Sequence, residues 1–110
     1  ERAEKEFGRE PGSVLIMAAV ESARGVVKAL EICEASRRLF GIALSGGDYT
    51  RDLHTHITGT GVELQGAREN LVIAARAASL IFFRIFKDFL FNFFTDIPPI
   101  CLLQILSAYH

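Results

Sequence analysis

The apolar and polar positions of residues 1–79 predict an alternation of strands and helices. Residues 14–20 and 39–44 are continuous apolar runs without polar alternation, which is typical of strands covered on both faces in a parallel sheet. Residues 23–33 and 62–79 instead carry apolar side chains at steps of three and four, the period of an amphipathic helix. A shorter helix is expected over residues 2–7, before Gly8 and the Pro11-Gly12 pair.

This order of elements predicts an α/β fold. Strand, helix, strand and helix joined by short connections are typical of parallel strands linked by right-handed crossovers. Both predicted strands then point the same way, so the residues that follow them lie on the same edge of the sheet. Glu21 follows the first strand, and Asp48 comes shortly after the second one.

These two acids form the candidate site. If the strands are neighbours, their axes lie about 4.8 Å apart, which lets Glu21 and Asp48 share one divalent ion such as Mg²⁺. The alternative is that each acid caps the helix that follows it, since acids favour helix N-termini. Spacing alone leaves both interpretations open.

A polar segment, Ser45-Gly46-Gly47-Asp48, follows the second strand and is predicted to form a flexible loop. Glycines let the backbone turn sharply and approach a ligand closely. Because a Gly-rich turn exposes its amides, the N–H groups around Gly46 and Gly47 are predicted to bind a substrate carboxylate.

Composition narrows the function classes. The chain has 110 residues, a formal net charge of -1 and 50% hydrophobic residues, which suits one globular domain and argues against nucleic-acid binding. Its two cysteines, Cys33 and Cys101, are far apart, which favours a reduced intracellular protein over a disulfide framework. The first ten residues are charged and lack the apolar segment of a signal peptide, so a cytoplasmic location is expected.

Other candidate residues have simpler structural interpretations. His54 and His56 lack a nearby third ligand and are expected to be solvated. Arg24, Arg51 and Arg68 are expected to form structural ion pairs rather than to bind phosphate or carboxylate. Cys33 is expected to pack in the core, whereas Tyr49 either orients substrate or packs beneath the loop.

Three motifs carry a family resemblance: the glutamate after the first strand in AAVES, the segment ALSGGDYTRDL, and the helix start GVELQGAR. Together they resemble the aldolase/citrate lyase family of TIM barrels, in particular its citrate lyase β subunits, and the resemblance as a whole extends over nearly all of residues 8–78. The resemblance implies a partial TIM barrel of about two βα units. It also implies that Glu21 and Asp48 bind Mg²⁺ and act in catalysis.

The implied reaction is cleavage of a citryl thioester, carried by an acyl carrier protein or CoA, to oxaloacetate and an acetyl thioester. Other citrate lyase subunits are the implied partners, and the full-length form is expected to be oligomeric. Two alternatives remain: a malyl-CoA or methylmalyl-CoA lyase or malate synthase-like relative that uses the same two acids, and a non-catalytic interaction fragment of a lyase complex.

The resemblance ends at residue 79, so the predicted domains are residues 1–79 and a divergent tail, residues 80–110. Seven of the nine Phe residues lie between Phe82 and Phe94, without clear helical or strand periodicity. A membrane segment, a variant tail that covers an open sheet edge and a shifted reading frame each explain this tail, and the last is favoured. Because a TIM barrel takes about 250 residues, the isolated chain is expected to be inactive.

Overall fold

The computed structural model describes residues 1–83 and 101–103, with side chains for residues 1–82. The helices and strands are, in chain order, α1 (Arg2–Glu6), β1 (Ile16–Val20), α2 (Ala23–Val27), α3 (Ala29–Glu34), β2 (Leu39–Leu44), α4 (Gly46–Asp52), a 3₁₀ turn (Val62–Leu64), α5 (Gln65–Ala77), β3 (Ile81–Phe83) and β4 (Cys101–Leu103).

The strands form one parallel sheet in the order β3-β2-β1-β4. The predicted strand at residues 39–44 is confirmed at both ends, and the first strand begins at Ile16 rather than at residue 14. The expectation that the first two strands are parallel neighbours is also confirmed, because Val20 pairs with Leu44. The chain therefore has the α/β architecture that the pattern predicts.

The helix predicted for residues 23–33 is interrupted once. Its two parts, α2 and α3, meet at Lys28, whose φ and ψ of -95° and 16° are not helical. The side-chain amide of Asn70 on α5 donates to the carbonyl oxygen of Val26 at 2.9 Å, just before this break. A carbonyl near the interruption thus has a partner from another helix, which ties α2 to α5.

One core lies between the sheet and its helices. Ile42 of β2 and Leu71 of α5 are its largest fully buried side chains. Small residues on the buried face of α5 let that helix pack closely on the sheet, as its sequence predicts: Ala67, Ala74 and Ala75. The site-bearing end of the sheet is therefore supported by a packed core.

The tail contributes two short strands that the sequence pattern does not predict. β3 extends the sheet beyond residue 79, and β4 pairs with β1 on the edge that β2 leaves open. The predictions for residues 84–100 and 104–110 lie outside the described residues, and the division of the chain at residue 79 stays a prediction. Within the described part, no helix has the length and hydrophobicity needed to cross a bilayer.

Candidate functional site

The candidate site lies where β1 and β2 end, side by side. The N–H of Ser45, the residue after β2, donates to the carbonyl oxygen of Val20 at 2.8 Å and so extends the pairing of the two strands by one bond. Glu21 follows Val20 directly. The segment that carries Glu21 and the segment that leads to Asp48 are consequently neighbours at the carboxyl end of the sheet, as predicted.

Glu21 stands between a strand and a helix. The next residue, Ser22, is the N-cap of α2, and its hydroxyl accepts a hydrogen bond from the N–H of Gly25 at 3.1 Å. The alternative prediction that Glu21 caps this helix is therefore wrong, because Ser22 performs that role. Glu21 itself is partly buried, directly after the end of β1.

Asp48 belongs to the first turn of α4 and is fixed by two side chains. Its Oδ2 accepts from the hydroxyl of Ser45 at 2.9 Å, and its Oδ1 accepts from the guanidinium of Arg51 at 3.0 Å. Its side chain is 44% exposed, which leaves the carboxylate accessible to a ligand. The ion pair confirms the structural role expected for Arg51.

The start of α4 has the spacing of a capping box but not its hydrogen bonds. In the usual form, the acid three residues after the N-cap accepts from the N-cap backbone N–H. Here that N–H already bonds to Val20, so Asp48 accepts from the Ser45 hydroxyl instead. The alternative prediction that Asp48 caps this helix is therefore wrong, because the N-cap is Ser45 and the Asp48 carboxylate accepts from side chains.

The loop predicted at Gly46 and Gly47 is wrong, because both residues are the first turn of α4. A Cβ on Gly46 would lie 3.0 Å from Cδ1 of Leu64, whereas a Cβ on Gly47 would meet no atom within 4 Å. A side chain at Gly46 would therefore press on Leu64, whereas the helical backbone of Gly46 makes no sharp turn. The prediction that their N–H groups bind substrate stays a prediction.

Glu63 is hydrogen-bonded to Thr58 across the segment that precedes Leu64. Its carboxylate accepts from the hydroxyl and from the N–H of Thr58, both at 2.7 Å. The Thr58 hydroxyl bond, followed by backbone hydrogen bonds, holds the pKa of Glu63 below its usual range. This carboxylate orders the chain before α5 and so supports the packing of Leu64 on Gly46.

The remaining candidates do not add a ligand set. Tyr49 and Cys33 are buried in the core; burial raises the pKa of the Cys33 thiol, which confirms its expected packing role. His54 and His56 are exposed. Across the described residues, no group of three or more His, Cys, Asp or Glu side chains is placed to hold a metal ion. Among the described residues, the candidate protein ligands are thus the pair that the sequence predicts, Glu21 and Asp48.

Two carboxylates nevertheless fit Mg²⁺. This ion is usually held by one or two protein carboxylates, with water and substrate oxygens completing its octahedron. Glu21 and Asp48 are of the right chemical type, come from neighbouring strand ends and are both reachable from solvent. The donor set therefore suits an ion that also contacts its substrate.

Asp52 is a rim residue that the sequence analysis missed. Its Oδ2 accepts from the N–H of Ala23 at 2.8 Å, which joins the last turn of α4 to the first residue of α2. Its position four residues after Asp48 places both on one side of the helix. That spacing was visible in the sequence, but the partner 29 positions earlier was not.

The chain matches known proteins over most of its length. It is 56% identical over 81 residues to citrate lyase subunit beta of Leuconostoc mesenteroides subsp. cremoris. It is 49% identical over 79 residues to citrate lyase subunit beta of Escherichia coli K12. These matches cover 74% and 72% of this chain, but only 27% and 26% of the relatives, so the chain spans about a quarter of their length.

Solved structures show the same fold. The lead(II) complex of Haloferax volcanii malate synthase has a TM-score of 0.60 at 24% identity, with 74% of this chain and 25% of that chain covered. Macrophomate synthase has a TM-score of 0.56 at 22% identity, with 83% and 32% covered. At these identities the likeness concerns the fold alone.

The family model described as HpcH/HpaI aldolase/citrate lyase matches residues 1–89, which reaches past β3 and ten residues beyond the predicted boundary at residue 79. More than half of the chain is thus covered by one family pattern. The chain belongs to the HpcH/HpaI aldolase/citrate lyase family.

Proposed function

We propose that this chain carries the Mg²⁺-binding part of a citrate lyase β-type active site, with Glu21 and Asp48 as the two protein ligands. The observation that carries the proposal is the Ser45–Val20 hydrogen bond of 2.8 Å, which sets the two acid-bearing segments side by side at the carboxyl end of a parallel sheet. In barrels of this type that end bears the catalytic residues.

The proposed reaction cleaves a citryl thioester to oxaloacetate and an acetyl thioester. Negative charge would develop on the oxygen that becomes the keto group of oxaloacetate, and Mg²⁺ held by the two acids would supply Lewis-acid stabilisation of that charge. Glu21 and Asp48 would hold the ion, while Ser45 and Arg51 fix the Asp48 carboxylate through hydrogen bonds of 2.9 and 3.0 Å. Carboxylates fixed in advance need little reorganisation during the reaction.

The name shared by the relatives supports citryl over malyl thioesters. Proteins that are 56% and 49% identical to this chain are named citrate lyase subunit beta, and the word subunit indicates assembly with other chains. We propose that other lyase subunits and a thioester carrier, either an acyl carrier protein or CoA, are the partners of the complete enzyme. Because this chain spans about 27% of its relative, we expect no turnover by the chain alone.

A chimera tests this function in a complete barrel. The matched 81 residues of the Leuconostoc subunit would be replaced by their counterpart from this chain, and Mg²⁺-dependent oxaloacetate release would be assayed. We expect cleavage of citryl but not malyl thioester. Glu21→Gln should lower kcat about a thousandfold, which corresponds to a loss of roughly 4 kcal/mol of transition-state stabilisation.

The same chimera carrying Glu34→Gln is the matched control, because Glu34 is an exposed acid at the end of α3, away from the rim. It should retain full activity. Preference for malyl thioester would transfer the proposal to the malyl-CoA lyase and malate synthase group. An inactive chimera that folds and assembles normally would favour the non-catalytic alternative.

A further inference from the structure

We propose that Asp52 is a positioning residue that holds the Glu21 segment and the Asp48 segment in register for metal binding. This inference rests on the proposed function, because it assumes that both acids bind one ion. Asp52 contacts neither a metal nor a substrate in the proposal. It acts through the backbone on which Glu21 is carried.

The Asp52 contact lies close to Glu21 in the chain. Its carboxylate accepts the N–H of Ala23 at 2.8 Å, two residues after Glu21. The residue before Glu21, Val20, is held by the N–H of Ser45 at 2.8 Å. Glu21 therefore lies between two hydrogen bonds, and both come from the chain segment that bears Asp48.

The segment that bears Asp48 is bonded to the Glu21 segment at both of its ends. Ser45 and Asp52 flank α4, and Asp48 lies between them in its first turn. The Ser45 bond continues the parallel pairing of β1 and β2, so the end of the sheet already provides it. Asp52 adds a side-chain link that sheet pairing does not require. Together the two bonds close a ring that contains both candidate ligands.

Two different side chains accept N–H groups at the start of α2. The first N–H groups of a helix lack partners within that helix. Ser22 accepts from Gly25 at 3.1 Å, while Asp52 accepts from Ala23. Capping by Ser22 is local to α2, and capping by Asp52 joins α2 to α4. Substitution of Ser22 therefore tests the effect of helix stability alone, whereas substitution of Asp52 also tests the alignment of the two segments.

Titration of the full 110-residue chain with Mg²⁺ alone tests the inference. We expect Asp52→Ala to weaken Mg²⁺ binding about tenfold, the low end of the loss found when a group bonded directly to a ligand is removed, because Asp52 acts through the backbone that carries Glu21. Asp52→Asn, which keeps an oxygen acceptor for the Ala23 N–H, should restore most of that loss. Ser22→Ala should lower the melting temperature as Asp52→Ala does, while Mg²⁺ affinity stays within about twofold of wild type.

Amide hydrogen exchange provides a readout that needs no metal. Asp52→Ala should speed exchange of the Ala23 amide, and Asp52→Asn should largely restore protection. Unchanged exchange at Ala23 would overturn the inference whether or not the chain binds Mg²⁺. Equal weakening of Mg²⁺ binding by the Asn and Ala variants would assign the effect to charge, and equal weakening by Ser22→Ala would assign it to helix capping; either result overturns the positioning role.

The proposed function fails separately. If the wild-type chain binds no Mg²⁺ while the Ala23 amide depends on Asp52, the hydrogen-bonded link exists but the metal site does not, and both the proposed function and its positioning role are rejected. If Mg²⁺ binds and Glu21→Gln abolishes binding while Asp52→Ala has no effect, the proposed function stands and only the role of Asp52 is rejected.

Discussion

Glu4 is a buried carboxylate at the opposite end of the sheet from the candidate site, and its role is structural. It is 3% exposed and accepts from the N–H groups of Gly12 and Val14, both at 3.0 Å, and from the guanidinium of Arg38 at 2.8 Å. These partners lie before β1 and before β2. One carboxylate thus fixes α1 against the chain segments that lead into both strands.

The pH dependence of stability should reveal this carboxylate. The hydrogen bonds from Gly12 and Val14, followed by that from Arg38, lower the pKa of Glu4 from 4.5 to about 2. Because the folded-state pKa lies below the ordinary value, the stabilisation is fully present above about pH 4.5 and is lost as the pH falls towards 2. We expect Glu4→Gln to be less stable than wild type at pH 7, with a difference that shrinks over this window.

Urea unfolding at a series of pH values measures this effect. Glu6→Gln removes an exposed acid from the last position of the same helix, α1, and should leave the urea midpoint nearly unchanged. A difference between Glu4→Gln and wild type that stays constant from pH 7 to pH 2 would show that ionisation of Glu4 does not contribute to stability.

At the scale of elements, α4 shows what the sequence could and could not predict. The pattern Ser45-x-x-Asp48 is a helix-start signal, yet the glycines between them suggested a loop. The helix forms because Ser45 and Asp48 are bonded to each other and because Gly46 packs against Leu64, a contact with a residue 18 positions later in the chain. That contact depends on the position of α5, which local pattern does not reveal.

The two glycines of α4 should respond oppositely to substitution. Gly46→Val places a branched side chain against Leu64, and we expect it to destabilise the fold by about 1–3 kcal/mol through overpacking. Gly47→Ala meets no neighbour within 4 Å and should stabilise the helix by up to about 1 kcal/mol. The free energy of unfolding in urea measures both. Equal effects of the two variants would contradict the packing assigned to Gly46.

Strand existence, direction and adjacency were predictable because they follow from apolar runs and short connections. The end of β2 at Leu44 and the placement of Glu21 after β1 were read directly from the sequence. The Asp52–Ala23 bond was not predictable, since it joins residues 29 positions apart whose proximity arises only when α2 and α4 start from neighbouring strands. Sequence therefore located the two candidate ligands but not the residues that align them.

At the scale of the whole molecule, the chain is part of a barrel. Complete TIM barrels contain eight parallel strands, whereas the described residues form a four-stranded parallel sheet. Apolar side chains such as Val62, Ile73 and Ile81 are more than half exposed on the described part. The two candidate ligands follow adjacent strands, β1 and β2, so metal binding by this chain can be tested without a closed barrel.

The most direct test is calorimetric titration of the 110-residue chain with Mg²⁺. We predict saturable binding that is lost in Glu21→Gln and in Asp48→Asn, because each variant removes one of the two proposed carboxylate ligands, and that is retained in Glu34→Gln. Circular dichroism on the same samples would establish that the variants are folded. Absence of Mg²⁺ binding by the folded wild-type chain, or binding that survives both rim substitutions, would contradict the account.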